Sequence, residues 1–103
     1  MFKLDANHTE VKTAFLQLGC LVMDLAQAKH YTSDTLDLIV GIPNPSGQPG
    51  VNVLVEVKTE EGKVRPNQQR VITEWEEAGL PIAVVRSIDD VIAVFYKYRE
   101  EVY

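Results

Sequence analysis

Two carboxylates and one amine are the residues of this chain most able to do chemistry: Asp37 at the head of one apolar run, and Glu56 with Lys58 near the end of the next. Glu56 and Lys58 alternate with Val55 and Val57, so on an extended strand they share one face, about 6.6 Å apart along it. If the two runs pair antiparallel through the turn between them, Asp37 and Glu56 arrive at the same end of a sheet. Hard oxygen ligands in that number suit Mg²⁺, which takes one or two protein carboxylates, keeps several waters and finds its other ligands on a phosphate. Lys58 then has its ammonium in reach of the same pocket, placed to position a water or stabilise a phosphorane. Glu-x-Lys alone is common on strands of unrelated proteins, where its plain meaning is an ion pair, so the Asp37 strand must be part of the argument.

Two other side chains point the same way. Glu10 falls about 40° outside the apolar stripe of the first predicted helix, using about 100° per residue, at the rim where a third acid helps hold metal or water. The same Glu10 is also three residues after Asn7, the N3 position of a capping box, which asks nothing catalytic of it. Gln68 takes the first inward slot of an otherwise apolar helical stripe, and a buried amide requires partners that an acidic, metal-holding cluster can supply. Gln69 is the alternative if that helix is turned slightly.

The elements that must position these residues follow from periodicity. Asn7 and Glu10 open a helix whose stripe is Val11, Ala14, Phe15 and Leu18, closed by Gly19. Leu21 to Leu25 is a short strand, Ala26 to Thr35 a polar loop over the sheet, and Leu36 to Ile42 a strand ended by the turn Pro-Asn-Pro-Ser-Gly-Gln-Pro-Gly. Val51 to Thr59 is the strongest strand, apolar on both faces near its middle and therefore central. Pro66 starts a helix that runs to Ala78 with Gln68, Val71, Ile72 and Trp75 inward and Gly79 after it. Pro81 to Val85 is a buried strand, and Ser87 with Asp90 caps a last helix whose stripe is Ile88, Val91, Ile92 and Phe95. The order α-β-β-β-α-β-α predicts an α/β fold, a mixed sheet flanked by helices, in one domain over residues 1–103.

Bulk properties narrow the partners. No apolar run approaches the roughly 20 residues that span a bilayer, and the first residues lack an apolar signal core. The single Cys20 reads as a small buried residue, and with no second cysteine the expectation is a cytoplasmic, intracellular protein. A formal charge of −5 opposes non-specific binding to polyanions, yet Glu74, Glu76, Glu77, Asp89, Asp90, Glu100 and Glu101 lie outside the proposed site. Lys63, Arg65 and Arg70, just after the strand that carries Lys58, can form a local basic face with Lys12, Lys29 and His30. His8 and His30 read as ordinary surface histidines, Phe15, Trp75 and Phe95 as core, and Tyr96, Tyr98 and Tyr103 as cover for a subunit interface.

Taken in order and spacing, Asp5-Ala-Asn7-His-Thr-Glu10, Leu36-Asp37-Leu-Ile-Val-Gly41, Glu56-Val-Lys58, Val64-Arg-Pro-Asn-Gln68 and Val84-Val-Arg-Ser87 resemble the VRR-NUC-like and Holliday-junction-resolvase-like branch of the PD-(D/E)XK nucleases. The resemblance runs from Asp5 to about Phe95. It implies a restriction-endonuclease-like core, Asp37, Glu56 and Glu10 as metal ligands, Lys58 as the catalytic lysine and Gln68 as the glutamine that follows the catalytic strand. Leu36 stands where this branch commonly has proline. The function implied is a Mg²⁺-dependent endonuclease, with Mn²⁺ able to substitute, that hydrolyses DNA and acts as a homodimer on duplex or branched, Holliday-junction-like substrates, with a prokaryotic or phage source. Lys12, Lys63, Arg65 and Arg70 are its candidate DNA contacts. Two other readings stand beside it: a catalytically inert module of this fold that binds nucleic acid or a protein, and a structural subunit in which Glu56 and Lys58 merely pair.

Overall fold

The computed structural model describes residues 6–26 and 36–100. Seven elements follow one another: α1 (His8–Gln17), β1 (Leu21–Asp24), β2 (Leu38–Ile42), β3 (Val51–Val57), α2 (Pro66–Glu77), β4 (Ile82–Val85) and α3 (Ile88–Glu100). This is the α-β-β-β-α-β-α order expected from the sequence. The strands form one four-stranded sheet in the order β1-β2-β3-β4. β1 and β3 each pair antiparallel with β2, while β3 and β4 run parallel. A parallel pair needs a crossover connection, and α2 supplies it.

Alternation along the strands sorts the side chains between two layers. Leu38, Val40, Ile42, Val53, Val55, Val57 and Val85 face α1 and α3, where Val11, Phe15, Val91, Val94, Phe95 and Tyr98 complete the larger core. On the opposite face Leu54, Ile82 and Val84 meet Leu36, Val64 and Ile72, the last from α2. β3 therefore has its middle covered from both sides, which is why its sequence is apolar on both faces. Gly19 and Gly79 follow α1 and α2 at φ +90° and +74°, the left-handed conformation that ends a helix with little strain only at glycine.

Several expectations are corrected. Asn7 precedes α1 but makes no side-chain cap: its amide donates to the carbonyls of Lys58 and Arg86, at 3.0 and 3.1 Å. Those carbonyls lie where β3 and β4 run out of sheet partners, so they hold the amide that would otherwise cap the helix, and the Asn7–Glu10 capping box does not form. Trp75 is 36 % exposed rather than inward, because α2 packs on the edge strand β4 and its later turns reach beyond the sheet. α3 is rotated from the expected stripe: Ile92 is exposed while Val94 and Tyr98 are buried. Tyr98 therefore does not cover an interface. Its hydroxyl donates to the Ile82 carbonyl at 3.3 Å, occupying an acceptor of β4. Tyr96 is exposed, and Tyr103 lies outside the described residues, as do Lys29, His30 and most of the loop expected over 26–35. Cys20 is buried as expected, and burial raises its thiol pKa with the charge of Arg99 only partly opposing.

His8 is not a surface histidine. It is buried at the start of α1, with Nε2 3.1 Å from Asp24 Oδ2, and Lys12 Nζ reaches the same oxygen at 3.4 Å. Burial alone would raise the Asp24 pKa, but the Ala26 N–H on Oδ1, the His8 hydrogen bond and charge, and Lys12 outweigh it and hold the carboxyl below its ordinary value. A carboxylate depressed in the folded state adds stability that is complete above its unfolded value, about pH 4, and disappears as pH falls through the lower folded value. Asp24→Asn is accordingly expected to reduce stability near neutral pH and to flatten the acid limb of the stability curve; denaturant titrations between pH 2 and pH 7 check this, a parallel acid limb being the contrary result.

Candidate active site

Glu56 is the last residue but one of β3 and projects toward the α2 layer, opposite in face to Val55 and Val57. It is 1 % exposed. Isolated, such a carboxylate would be protonated or expelled, so its neighbours decide its state. Gln68 Nε2 donates to Glu56 Oε2 at 2.8 Å, and Lys58 Nζ stands 3.3 Å from the same oxygen. Both partners are buried too, Lys58 at 7 % and Gln68 at 4 % exposure. The other end of the Gln68 amide, Oε1, accepts the Arg65 N–H at 3.1 Å. A carboxylate demands a donor and an N–H demands an acceptor, so only one orientation of this amide satisfies both. Gln68 thus ties the first turn of α2 to β3, and it places the positive end of the α2 macrodipole beside Glu56. Gln69, the alternative, is exposed and donates to Thr73 Oγ1.

Asp37 arrives by a different device. The first ladder pair of β2 is Leu38 with Val55, yet the Asp37 N–H also donates to the Val55 carbonyl at 3.1 Å. Two successive residues therefore oppose one, as in a β-bulge, an irregularity that re-aims a side chain. The strand begins at Leu38 and not at Leu36 for this reason, and Leu36 turns into the α2 layer with Ile72 and Ile82. Beyond the last ladder pair, Asp37 Oδ2 accepts the Val57 N–H at 2.7 Å. The carboxylate stands where the next carbonyl of β2 would have been, at the same end of β3 as Glu56 and Lys58. Asp37 is 4 % exposed.

The structure thus brings Asp37, Glu56, Lys58 and Gln68 to one sheet end. Glu10 is exposed on α1 and lines a shallow pocket with Asn7, Thr59, Glu60 and Arg86. Among the described residues no group of three His, Cys, Asp or Glu side chains is close enough to hold a metal unaided. Asp37 and Glu56 nevertheless bring two buried carboxyl groups to this sheet end. Hard carboxylate oxygens in that number are the donor set of a cation that keeps several waters and takes the rest of its ligands from substrate. Of the basic residues, Lys63 and Arg65 are exposed in the connection that leads to Gln68, and Arg70 follows on α2 with Glu74 at 3.3 Å. Lys12 lies across the sheet on α1, held by Asp24.

Sequence comparison now decides the family. The sequence profile of the VRR-NUC domain matches residues 9–89, which include Glu10, Asp37, Glu56, Lys58 and Gln68. The chain belongs to the VRR-NUC family. That family is PD-(D/E)XK-like, and its membership makes this a nuclease domain. A solved structure described as a VRR_NUC domain is 30 % identical to it and superposes with a TM-score of 0.67, covering 89 % of this chain and 97 % of its own. A search of curated proteins finds no match. The mixed four-stranded sheet with helices on both faces agrees with that structural match.

Arg86, within the Val84-Val-Arg-Ser87 stretch, has a role that only the structure reveals. Its Nη1 donates to the carbonyls of Thr59, Glu60 and Gly62, at 2.8, 3.4 and 2.5 Å, in the loop that follows Lys58. The available signal was an arginine at the end of a buried strand, immediately before a helix cap.

Proposed function

We propose that this VRR-NUC domain is a Mg²⁺-dependent endonuclease that hydrolyses DNA phosphodiesters. The observation that carries the reading is the buried Asp37, Glu56, Lys58 and Gln68 group at one sheet end, where Glu56 Oε2 faces both an ammonium and an amide. Asp37 and Glu56 would hold the metal, with Glu10 assisting from α1 across the strand ends; Mn²⁺ has the same preference for oxygen. When bound, the cation neutralises charge that builds on the phosphate and lowers the pKa of water. Gln68 restrains the Glu56 carboxylate, and Val57 N–H restrains Asp37, so both ligands are held before substrate arrives. Lys58, buried and pointed at Glu56, has an ammonium to donate toward developing negative charge on the scissile phosphate. Lys63, Arg65 and Arg70, on the α2 side, would meet the phosphate backbone, and Lys12 would extend the contact from α1.

A single domain of this size covers little duplex by itself, so we propose a homodimer whose two-fold axis offers paired sites to a branched or palindromic substrate. Among the described residues no helix is long and apolar enough to cross a membrane. One observation favours a second reading: Lys58 Nζ lies 3.3 Å from Glu56 Oε2, an ion pair that an inert module would hold as well. Purified protein incubated with linear, nicked and four-way-branched DNA is expected to cleave at least one of them with Mg²⁺ or Mn²⁺ and none with a chelator. No cleavage of any substrate with either metal rejects the enzyme in favour of the inert module. A light-scattering mass of a single chain, free and on DNA, rejects the dimer.

A further inference from the structure

We infer that Arg86 is a positioning residue for Lys58, acting by holding the loop that leaves β3; this rests on the nuclease reading of Lys58. Lys58, the first residue after β3, is still held by the sheet, its N–H donating to the Val85 carbonyl at 3.0 Å. Immediately after it the chain departs into the turn Thr59 to Gly62, closed by the Gly62 N–H on the Thr59 carbonyl. Nothing in that turn is apolar enough to anchor it: Glu60 and Glu61 are exposed. The anchor is a guanidinium. Arg86 Nη1 faces the carbonyls of Thr59, Glu60 and Gly62, so the turn wraps its acceptors around a fixed positive charge.

Arg86 is itself held at every polar group of its main chain. Its N–H donates to Asp90 Oδ2 at 2.9 Å, in the first turn of α3, and its carbonyl accepts the Asn7 amide at 3.1 Å. The same Asn7 nitrogen donates to the Lys58 carbonyl at 3.0 Å. Lys58 is thereby fixed from both sides, its own carbonyl by Asn7 and the following turn by Arg86. The residue before α1, the residue after β4 and the first turn of α3 all contribute to locating the residue that follows β3. A lysine side chain has four rotatable bonds, and its ammonium stays 3.3 Å from Glu56 only while its main chain stays in place. A displacement of about 1 Å at a reacting group costs on the order of 10²-fold in rate. Arg86→Lys would keep the charge, but its ammonium stands one bond nearer the backbone than Nη1 and so falls short of the three carbonyls, whereas Arg86→Gln would remove the charge as well.

The test compares Arg86→Lys and Arg86→Gln with the full native chain in three measurements. Trypsin cleavage after Lys63, in the same connection, is expected to speed up several-fold in Arg86→Gln and less in Arg86→Lys, with other sites still protected; Arg65 is followed by Pro66 and resists the protease. The ammonium resonance of Lys58, assigned by comparison with Lys58→Met, is expected to shift in both variants. Steady-state cleavage of DNA with Mg²⁺ is expected to show kcat lowered by about 10-fold to 10²-fold with KM changed little. A Lys63 cleavage rate and a Lys58 resonance both unchanged in Arg86→Gln overturn the inference, as does a raised KM with kcat intact, which would make Arg86 a substrate contact. If the native chain cuts no DNA, the nuclease reading fails, and protease and resonance still decide whether Arg86 holds Lys58. Should Arg86→Gln not fold, Arg86→Lys alone carries the same three measurements.

Discussion

Asp37→Asn is expected to abolish Mg²⁺ binding and to lower DNA cleavage by at least about 10²-fold to 10³-fold, the scale on which one group stabilising developing charge acts. The substitution is nearly isosteric. The asparagine oxygen can still accept the Val57 N–H, so the bulge at Asp37 and the start of β2 are expected to persist. What is lost is a formal negative charge beside Glu56, and with it half of the carboxylate pair. Calorimetric titration with Mg²⁺ and thermal unfolding together check the expectation: the variant should unfold near the native temperature, show no heat of metal binding and cleave negligibly. An Asp37→Asn protein that binds Mg²⁺ as the native chain does removes Asp37 from the metal site, and one that fails to fold shows its role to be structural.

Lys58→Met is expected to separate catalysis from metal binding. The ammonium lies 3.3 Å from Glu56 Oε2, where it opposes the approach of a cation. Without it the affinity for Mg²⁺ should be retained or strengthened, while cleavage falls by about 10²-fold to 10⁴-fold, the range of a positioned proton-transferring or charge-stabilising side chain. Stability should respond in the opposite sense. Removing one partner of a buried pair leaves an uncompensated charge and costs about 3–5 kcal/mol, whereas replacing both is often neutral. Metal-free Lys58→Met is therefore expected to unfold earlier than the native chain, Mg²⁺ to restore much of the loss, and Glu56→Gln combined with Lys58→Met to recover it without metal. Denaturant melts of the native, single and double variants with and without Mg²⁺ check all three. If Lys58→Met cleaves normally, the pair is structural and the inert reading gains.

Glu-x-Lys on an alternating valine strand was legible because period two places both side chains on one face wherever the strand sits. Gln68 was legible because an amide on an apolar stripe is incongruous unless something polar lies beneath it, and Glu56 does. The Asn7–Glu10 capping box does not form because it is a local pattern, and the carbonyls that take the Asn7 amide come from Lys58 and Arg86, 51 and 79 residues away. His8 was misjudged for the same reason, its partner Asp24 being supplied by β1. Trp75 and Ile92 satisfied their stripes, but a stripe does not say where the neighbouring layer ends.

The sequence alone thus determined the order of elements, the central strand and the identity of the four side chains that share one sheet end, since periodicity and turn chemistry act over a few residues. Tertiary structure decided how they are placed: the bulge that turns Asp37 onto the Val57 N–H, the amide orientation that gives Gln68 to Glu56, the pocket that Glu10 shares with Thr59 and Arg86, and the arginine that holds the turn after Lys58. Each of these depends on contacts between chain segments brought together only when β2, β3 and β4 pair and the helices close over them. A pattern in one segment carries no information about which carbonyl another segment will leave without a partner.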